Sequence, residues 1–398
     1  MLTDNNKAAT IGLVLSTVPK YSETFFRNKI EGLQKNGYNV ILFVDYKNAS
    51  DNDYDCKVVS GYNFNQGKLL TFWYSFLAIT KSLVLHPSKS FKLFQLNKKD
   101  GIPISKNIRQ VIINHFFFTE NVDWLHFGFG MLSVQRENIA AAIKAKMAVS
   151  FRGFDLYLSP LKHPGCYDLL FRKDVKYHVL SQEMKNDLMK NDIRANRIEV
   201  ITPAIKTEFF QNIQPFTQHK QIQLVTVARL HWKKGLEYTL EALAYLKEKG
   251  VDFHYTIIGD GEEKERLIFA AHQLGIIDNI SFTGKLSQKE LREKVIKSSI
   301  YLQYSIQEGF CNSVLEAQAL GLMCIVSNAE GLSENVLNEK TGWVVTKRKP
   351  KLLAEKILYV IDLSDEKKQT IRQNAINRVK ASFNLEKQQQ EFVNLYNN

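Results

Sequence analysis

A chain of 398 residues has room for two domains of ordinary size and is too long for one simple core. Hydrophobic residues at 44% and charged residues at 24% match an ordinary globular protein and exclude wholesale disorder. The formal net charge of +12 is uneven, with 27 basic against 18 acidic residues in 1–200, so the first half attracts anions such as nucleic acid, anionic lipid or a phosphate-bearing substrate.

The chain opens with an apolar run, IGLVLST (Ile11–Thr17), that reads as a strand buried on both faces. A helix follows from Ser22, a suitable N-cap, with Glu23 in its first turn and Phe26, Ile30 and Leu33 on one face. Gly37 ends it, and Tyr38–Asp45 returns as a strand. Residues 48–68 read as loop, and 69–118, rich in aromatics and lysine, show no order that periodicity resolves. The same strand–helix–strand rhythm recurs about 210 residues later, in Ile222–Leu230, a helix stopped by Gly250, and FHYTIIGD. ISFTG, SQKELREKVIKSS, IYLQYS, a helix near Val314–Leu320 and MCIVSN continue the alternation, and two or three helices follow from Lys351. This is the pattern of an α/β protein with two doubly wound parallel-sheet domains. The expected divisions are 1–203, a linker over 204–221, 222–375, and helices over 376–398 that pack back on the first domain.

Four scattered cysteines, Cys56, Cys166, Cys311 and Cys324, have no metal-ligand spacing, and the polar N-terminus lacks the order of a signal peptide. Both point to a reduced, cytoplasmic protein. The longest apolar stretch, Thr71–Leu85, contains Lys81 and falls short of the roughly 20 residues of a spanning helix. It reads as a core helix or as a membrane contact.

Two constellations carry chemistry. Arg229 ends a strand, and Lys234 precedes the next helix, so both cations flank the crevice where open α/β sheets bind ligands. A diphosphate suits that pair, which would stabilise charge on a phosphate leaving group; a solvated basic turn is the plain alternative. Glu308 and Glu316 stand eight residues apart, at the lip of the following loop and inside its helix, where carboxylates accept sugar hydroxyls. Phe310, Cys311, Asn312 and Ser313 would offer backbone N–H groups to a phosphate.

Together, VARLHWKKG and EGFCNSVLEAQALG resemble the retaining glycosyltransferases of family 4, which have the GT-B fold of two Rossmann-like domains facing across a cleft. IIGDGEEKERL, SFTGKLSQKEL, AEGLSENV and TGWVV follow in the order those enzymes show. HVLSQEMKNDL and PKYSETFFRNKI extend the likeness into the first half, toward capsule, exopolysaccharide and lipopolysaccharide enzymes. The resemblance implies that Arg229 and Lys234 hold the donor diphosphate, Glu308 binds the transferred sugar and Glu316 the nucleotide ribose. It implies that Gly259 and Gly261 let the backbone approach the nucleotide, with Lys285 and Leu286 bordering the base. No cofactor and no metal is expected; a UDP- or GDP-linked sugar is the substrate, and the acceptor is a glycan, lipid-linked in one form of the reading.

The first half departs from the family pattern. Arg152 stands where many relatives have histidine; an arginine is no general base at neutral pH, so it contacts a phosphate or acceptor carboxylate, or pairs with Asp155. Ser22, Glu23, Thr24 and His126 complete the expected acceptor side, with helix capping and a structural histidine as the alternatives. Cys311 replaces a common glycine. Asp51-Asn52-Asp53 matches an Asp-x-Asp metal motif but sits in a polar loop, with no apolar strand directly before it. The basic first half fits peripheral contact with the inner face of an anionic membrane, while no nucleic-acid motif is present. A nucleotide-sugar epimerase of the same architecture and a non-catalytic basic binding protein are the competing readings.

Overall fold

The computed structural model describes residues 8–19, 24–47, 55–212 and 220–397. Ser22, Glu23, Asp51 and Asp53 lie outside them. The chain divides into two units. The first comprises 1–179, 185–201 and 389–398, and the second 180–184 and 202–388.

The first unit is built on seven parallel strands in the order β3-β2-β1-β4-β5-β6-β7: β1 (Thr10–Leu15), β2 (Asn39–Val44), β3 (Lys57–Ser60), β4 (Trp124–Phe127), β5 (Lys146–Ser150), β6 (Val175–Val179) and β7 (Ile198–Val200). Ile11, Leu13 and Val14 of β1 are fully buried, as a strand covered on both faces requires. The helix α1 (Thr24–Lys35) buries Phe26, Ile30 and Leu33 against it, the face that the spacing predicts. Gly37, at φ +83°, turns the chain back into β2. Strand order reverses between β1 and β4, so side chains at their carboxyl ends meet at one edge.

Two expectations are corrected here. Residues 48–68 are not all loop, because Lys57–Ser60 pairs in parallel with β2; four half-exposed residues are too short a run to show a period. The aromatic- and lysine-rich segment is ordered as α2 (Lys68–Thr80), one π turn (Lys81–Leu85), α3 (Pro87–Lys99) and α4 (Ile104–Ile113).

The second unit repeats the design with six parallel strands in the order β10-β9-β8-β11-β12-β13: β8 (Ile222–Val227), β9 (Phe253–Ile258), β10 (Ile280–Gly284), β11 (Ile300–Gln303), β12 (Met323–Ser327) and β13 (Trp343–Val345). Its strand order reverses between β8 and β11. The expected linker is partly folded into this unit: Ile205 bridges Asn384, and the Arg292 guanidinium donates to the Gln211 carbonyl at 2.5 Å. The helix Asp365–Ser382 also belongs here, with Ile371, Ala375 and Val379 buried. The return to the first unit begins at 389 rather than 376; there Phe392, Leu395 and Tyr396 join the core of β1, and the Trp124 indole N–H donates to the Tyr396 carbonyl at 3.0 Å.

Candidate active site

At the carboxyl edge of the second sheet, close backbone contacts fix the segment after β8. The N–H of Ala228 donates to the Ile258 carbonyl and that of Leu230 to the Asp260 carbonyl, each at 3.0 Å. A Cβ on Gly259, where φ is +139°, would stand 1.9 Å from the Ala228 oxygen, and one on Gly261 would stand 2.2 Å from the Leu230 oxygen. Both glycines therefore have an internal reason, the approach of β9 to the Arg229 segment, separate from any ligand. Arg229 itself is exposed at this edge.

The segment then folds into a single 3-10 turn, Trp232–Lys234, held from both sides. His231 accepts the Lys233 N–H at 3.3 Å, and the Lys233 carbonyl accepts the Ile306 N–H at 2.7 Å. Gly235, at φ +60°, lies so close to Tyr304 that a Cβ would sit 2.2 Å from its carbonyl oxygen. This seam between β8 and β11 brings Lys234 onto Glu308, and the two form an ion pair with side chains only 14% and 13% exposed. Burial disfavours the Lys234 charge, but the adjoining Glu308 carboxylate outweighs it and holds the ammonium above its usual pKa. Glu308 is oriented in turn: its N–H donates to Glu330 at 2.9 Å, its carbonyl accepts from Gly331 at 3.1 Å, and Lys347 pairs with Glu330 at 3.2 Å. Glu330 and Lys347 are supporting residues that no local sequence signal singled out.

The helix Asn312–Ala319 starts beside this pair. The Ser313 hydroxyl donates to the Val227 carbonyl at 3.1 Å, tying the helix start to the end of β8. One expectation is narrowed: the Cys311 N–H does not await a phosphate, because it donates to Asn335 Oδ1 at 2.9 Å, and Asn335 donates back to the Cys311 carbonyl at 3.1 Å. Phe310 is buried against Phe383. Asn312 and Ser313 occupy the first helical turn, where N–H groups have no partner within the helix. Burial, reinforced by the Glu308 charge, raises the Cys311 thiol, which is inert in that state. Glu316 is half-buried one turn further in, and among the described residues no hydrogen bond holds its carboxyl group. Burial pushes its carboxyl pKa up to about 8. Lys285 is exposed and Leu286 half-buried, both following β10 on the same edge.

The acceptor-side expectations fare differently. Thr24 opens α1, and Ser22 and Glu23 fall outside the described residues. His126 is corrected: it is fully buried in β4 and lines no cleft. Its ring nitrogens meet the Tyr396 hydroxyl at 2.5 Å and the Ser150 hydroxyl at 2.7 Å, and Ser150 continues to His178 at 2.7 Å. Burial, with Lys29 3.1 Å away, holds its pKa well below the usual value, so the ring is neutral. Lys29, 2% exposed, is a buried lysine that the sequence reading did not single out. The Arg152 guanidinium lies over the rings of Phe25, Phe26 and Phe129, 4.3 to 5.2 Å from their centroids. The Asp155 carboxylate, on which the Arg152 charge acts, accepts the backbone N–H groups of Arg152 and Met131, each at 3.2 Å.

The sequence profile of the family described as "Glycosyl transferases group 1" matches residues 208–378, the stretch that holds every member of the Arg229–Lys234–Glu308–Glu316 constellation. The chain carries a group 1 glycosyltransferase domain. Glycosyl transfer is the activity of this enzyme class. The glycosyltransferase is 25% identical over 359 residues to the amylovoran biosynthesis glycosyltransferase AmsK of Erwinia amylovora, covering 85% of this chain and 88% of that one. It is 24% identical over 405 residues to the putative colanic acid biosynthesis glycosyltransferase WcaL of Escherichia coli K12, covering 97% and 98%. Among solved structures it resembles a glycosyltransferase of Rickettsia africae, with a TM-score of 0.69 at 19% identity over 98% of each chain. It also resembles Alr3699/HepE of Anabaena in complex with UDP, with a TM-score of 0.70 at 15% identity over 97% and 98%. The fold of the glycosyltransferase is GT-B.

Proposed function

We propose that this glycosyltransferase moves a sugar, with retention of anomeric configuration, from a nucleoside diphosphate sugar to a hydroxyl of a growing glycan in bacterial surface polysaccharide synthesis. The observation that carries the reading is the half-enclosed Lys234–Glu308 pair at the strand-order reversal, on the same edge as exposed Arg229, whose charge is felt at Lys234. Glu308 neutralises Lys234. A diphosphate offers Lys234 another anion and releases Glu308 to accept hydroxyls of the transferred sugar. As the bond from the sugar to the diphosphate breaks, Lys234 and Arg229 stabilise the negative charge that develops on the departing phosphate, without a bound metal. Glu316 holds the nucleotide ribose. UDP is the first donor nucleotide to test, since a neighbour of the same fold was solved with UDP, and GDP is the second. Relatives named for amylovoran and colanic acid biosynthesis support a glycan acceptor, here lipid-linked at the cytoplasmic face of the membrane. No finding favours the epimerase or the non-catalytic reading.

The test is a thermal-shift screen of UDP, GDP, ADP, CMP and their sugar conjugates, run with Arg229→Ala and Lys234→Ala. At a hundredfold excess over Kd, ligand binding adds about 2.7 kcal/mol to stability. One nucleoside diphosphate should raise the melting temperature of the native chain, equally with and without EDTA, and should fail to do so in either variant. A shift that survives both substitutions ends the diphosphate assignment, and one abolished by EDTA ends metal independence.

A further inference from the structure

We infer that the outer face of α2, the π turn, α3 and α4 docks in the interface of an anionic lipid bilayer. This deepens the proposed lipid-linked acceptor and rests on that reading only for its purpose; the surface stands on its own observations.

Leu69, Phe72, Trp73 and Phe76 of α2 are 89%, 73%, 55% and 55% exposed, an apolar face that water covers poorly. Leu83, Val84 and Leu85 of the π turn extend it at 61%, 69% and 64%, and Phe91, Ile104 and Ile108 add apolar groups on α3 and α4. The opposite face of α2 is anchored. Tyr74 stacks on Tyr62 at 5.0 Å, Tyr62 stacks on His115 at 4.7 Å, and Ala78 and Ser82 are buried. The stretch Lys68–Leu85 is long and apolar enough to cross a membrane by length and composition. Crossing would strip it from the Tyr62 stack and from its buried side, so an orientation lying along the surface keeps these contacts.

Charge selects the occupant. Residues 68–109 contain eight basic side chains and one acidic, Asp100, which is paired with Lys173 at 2.5 Å. Lys68, Lys81, Lys92, Lys98, Lys106 and Arg109 are all exposed around the apolar face. A second copy of the chain would set cations against cations, whereas an anionic leaflet complements them. Exposed tryptophan and phenylalanine interleaved with lysine match the composition of surface-lying helices.

The experiment is co-sedimentation of the full chain with phosphatidylcholine vesicles, with and without phosphatidylglycerol. Two variants accompany it: Phe72→Ser/Trp73→Ser/Phe76→Ser, and Lys68→Gln/Lys92→Gln/Lys106→Gln. All six side chains are exposed, and the nucleotide-induced thermal shift on the same samples reports whether the fold and donor site persist. The native chain should partition onto phosphatidylglycerol vesicles only. The lysine variant should lose about a hundredfold in partition, at about fivefold per lysine, and the apolar variant should remain in solution. Partition that ignores either triple substitution overturns the assignment, as does its absence from the native chain. So does a native dimer that the apolar variant converts to monomer, which would make the face an interface between copies. Failure of the nucleotide shift with vesicle binding intact would overturn the donor reading alone.

Discussion

Glu316 has a carboxyl group that burial keeps protonated far above its usual range, so its contribution to stability runs opposite to that of a surface glutamate. With a folded pKa near 8 against about 4.5 unfolded, the native state binds the extra proton between those values. The contribution is complete below about pH 4.5 and is lost as pH rises through 8. Glu316→Gln keeps the shape without the titration. Its unfolding free energy should therefore gain on that of the native chain as pH rises from 5 to 9, by an amount on the order of 4 kcal/mol across the window. A gap independent of pH would show that Glu316 does not titrate in this window. At this scale the sequence revealed residue types better than residue states. Lys234 and Glu308 were legible as candidates, but their pairing across 74 positions was not, because nothing local records it. His126 was misread for a related reason: a histidine beside glycines looks the same whether its strand end faces a cleft or the core.

Elements were legible where the pattern is local. Burial of Phe26, Ile30 and Leu33 follows from helical spacing, and the Ser287–Glu290 capping box sits where SQKE predicts a helix start. The loop that carries Arg229 depends on contacts between elements, and this separates Gly259 from a simple turn glycine. Gly259→Ala places a methyl group against the Ala228 carbonyl at a φ that side chains rarely adopt. We expect a loss of about 2–3 kcal/mol in urea unfolding, together with weaker nucleotide binding although Arg229 and Lys234 remain. Unchanged nucleotide affinity in a destabilised variant would mean that the loop position does not govern donor binding. The segment 69–118 was illegible because its helices are apolar on the outside and anchored by small and polar groups such as Ala78, Ser82 and Asn107, the reverse of the usual amphipathic rule.

For the whole molecule, the C-terminal residues belong to the unit formed by the N-terminal half. Phe392, Leu395 and Tyr396 are nearly fully buried among Ile11, Ile30 and Trp124. Ending the chain after Gln388 removes these three side chains, at about 1.5–3 kcal/mol each. Hydrogen exchange should then accelerate through β1, β2 and β4 while β8 and β11 keep their protection. Uniform acceleration in both sheets would show that the two units unfold together.

The sequence by itself determined the α/β class, the twofold strand–helix rhythm and the chemistry of Arg229, Lys234, Glu308 and Glu316. Each is written in short-range periodicity or in the residue type itself. Tertiary structure alone decided that Lys234 is neutralised by Glu308, that Glu316 holds its proton, that His126 is core, and that α2 turns its aromatics outward. These outcomes depend on which distant segments exclude water from a side chain. Burial and pairing are properties of the packed chain, and spacing along the sequence does not encode them.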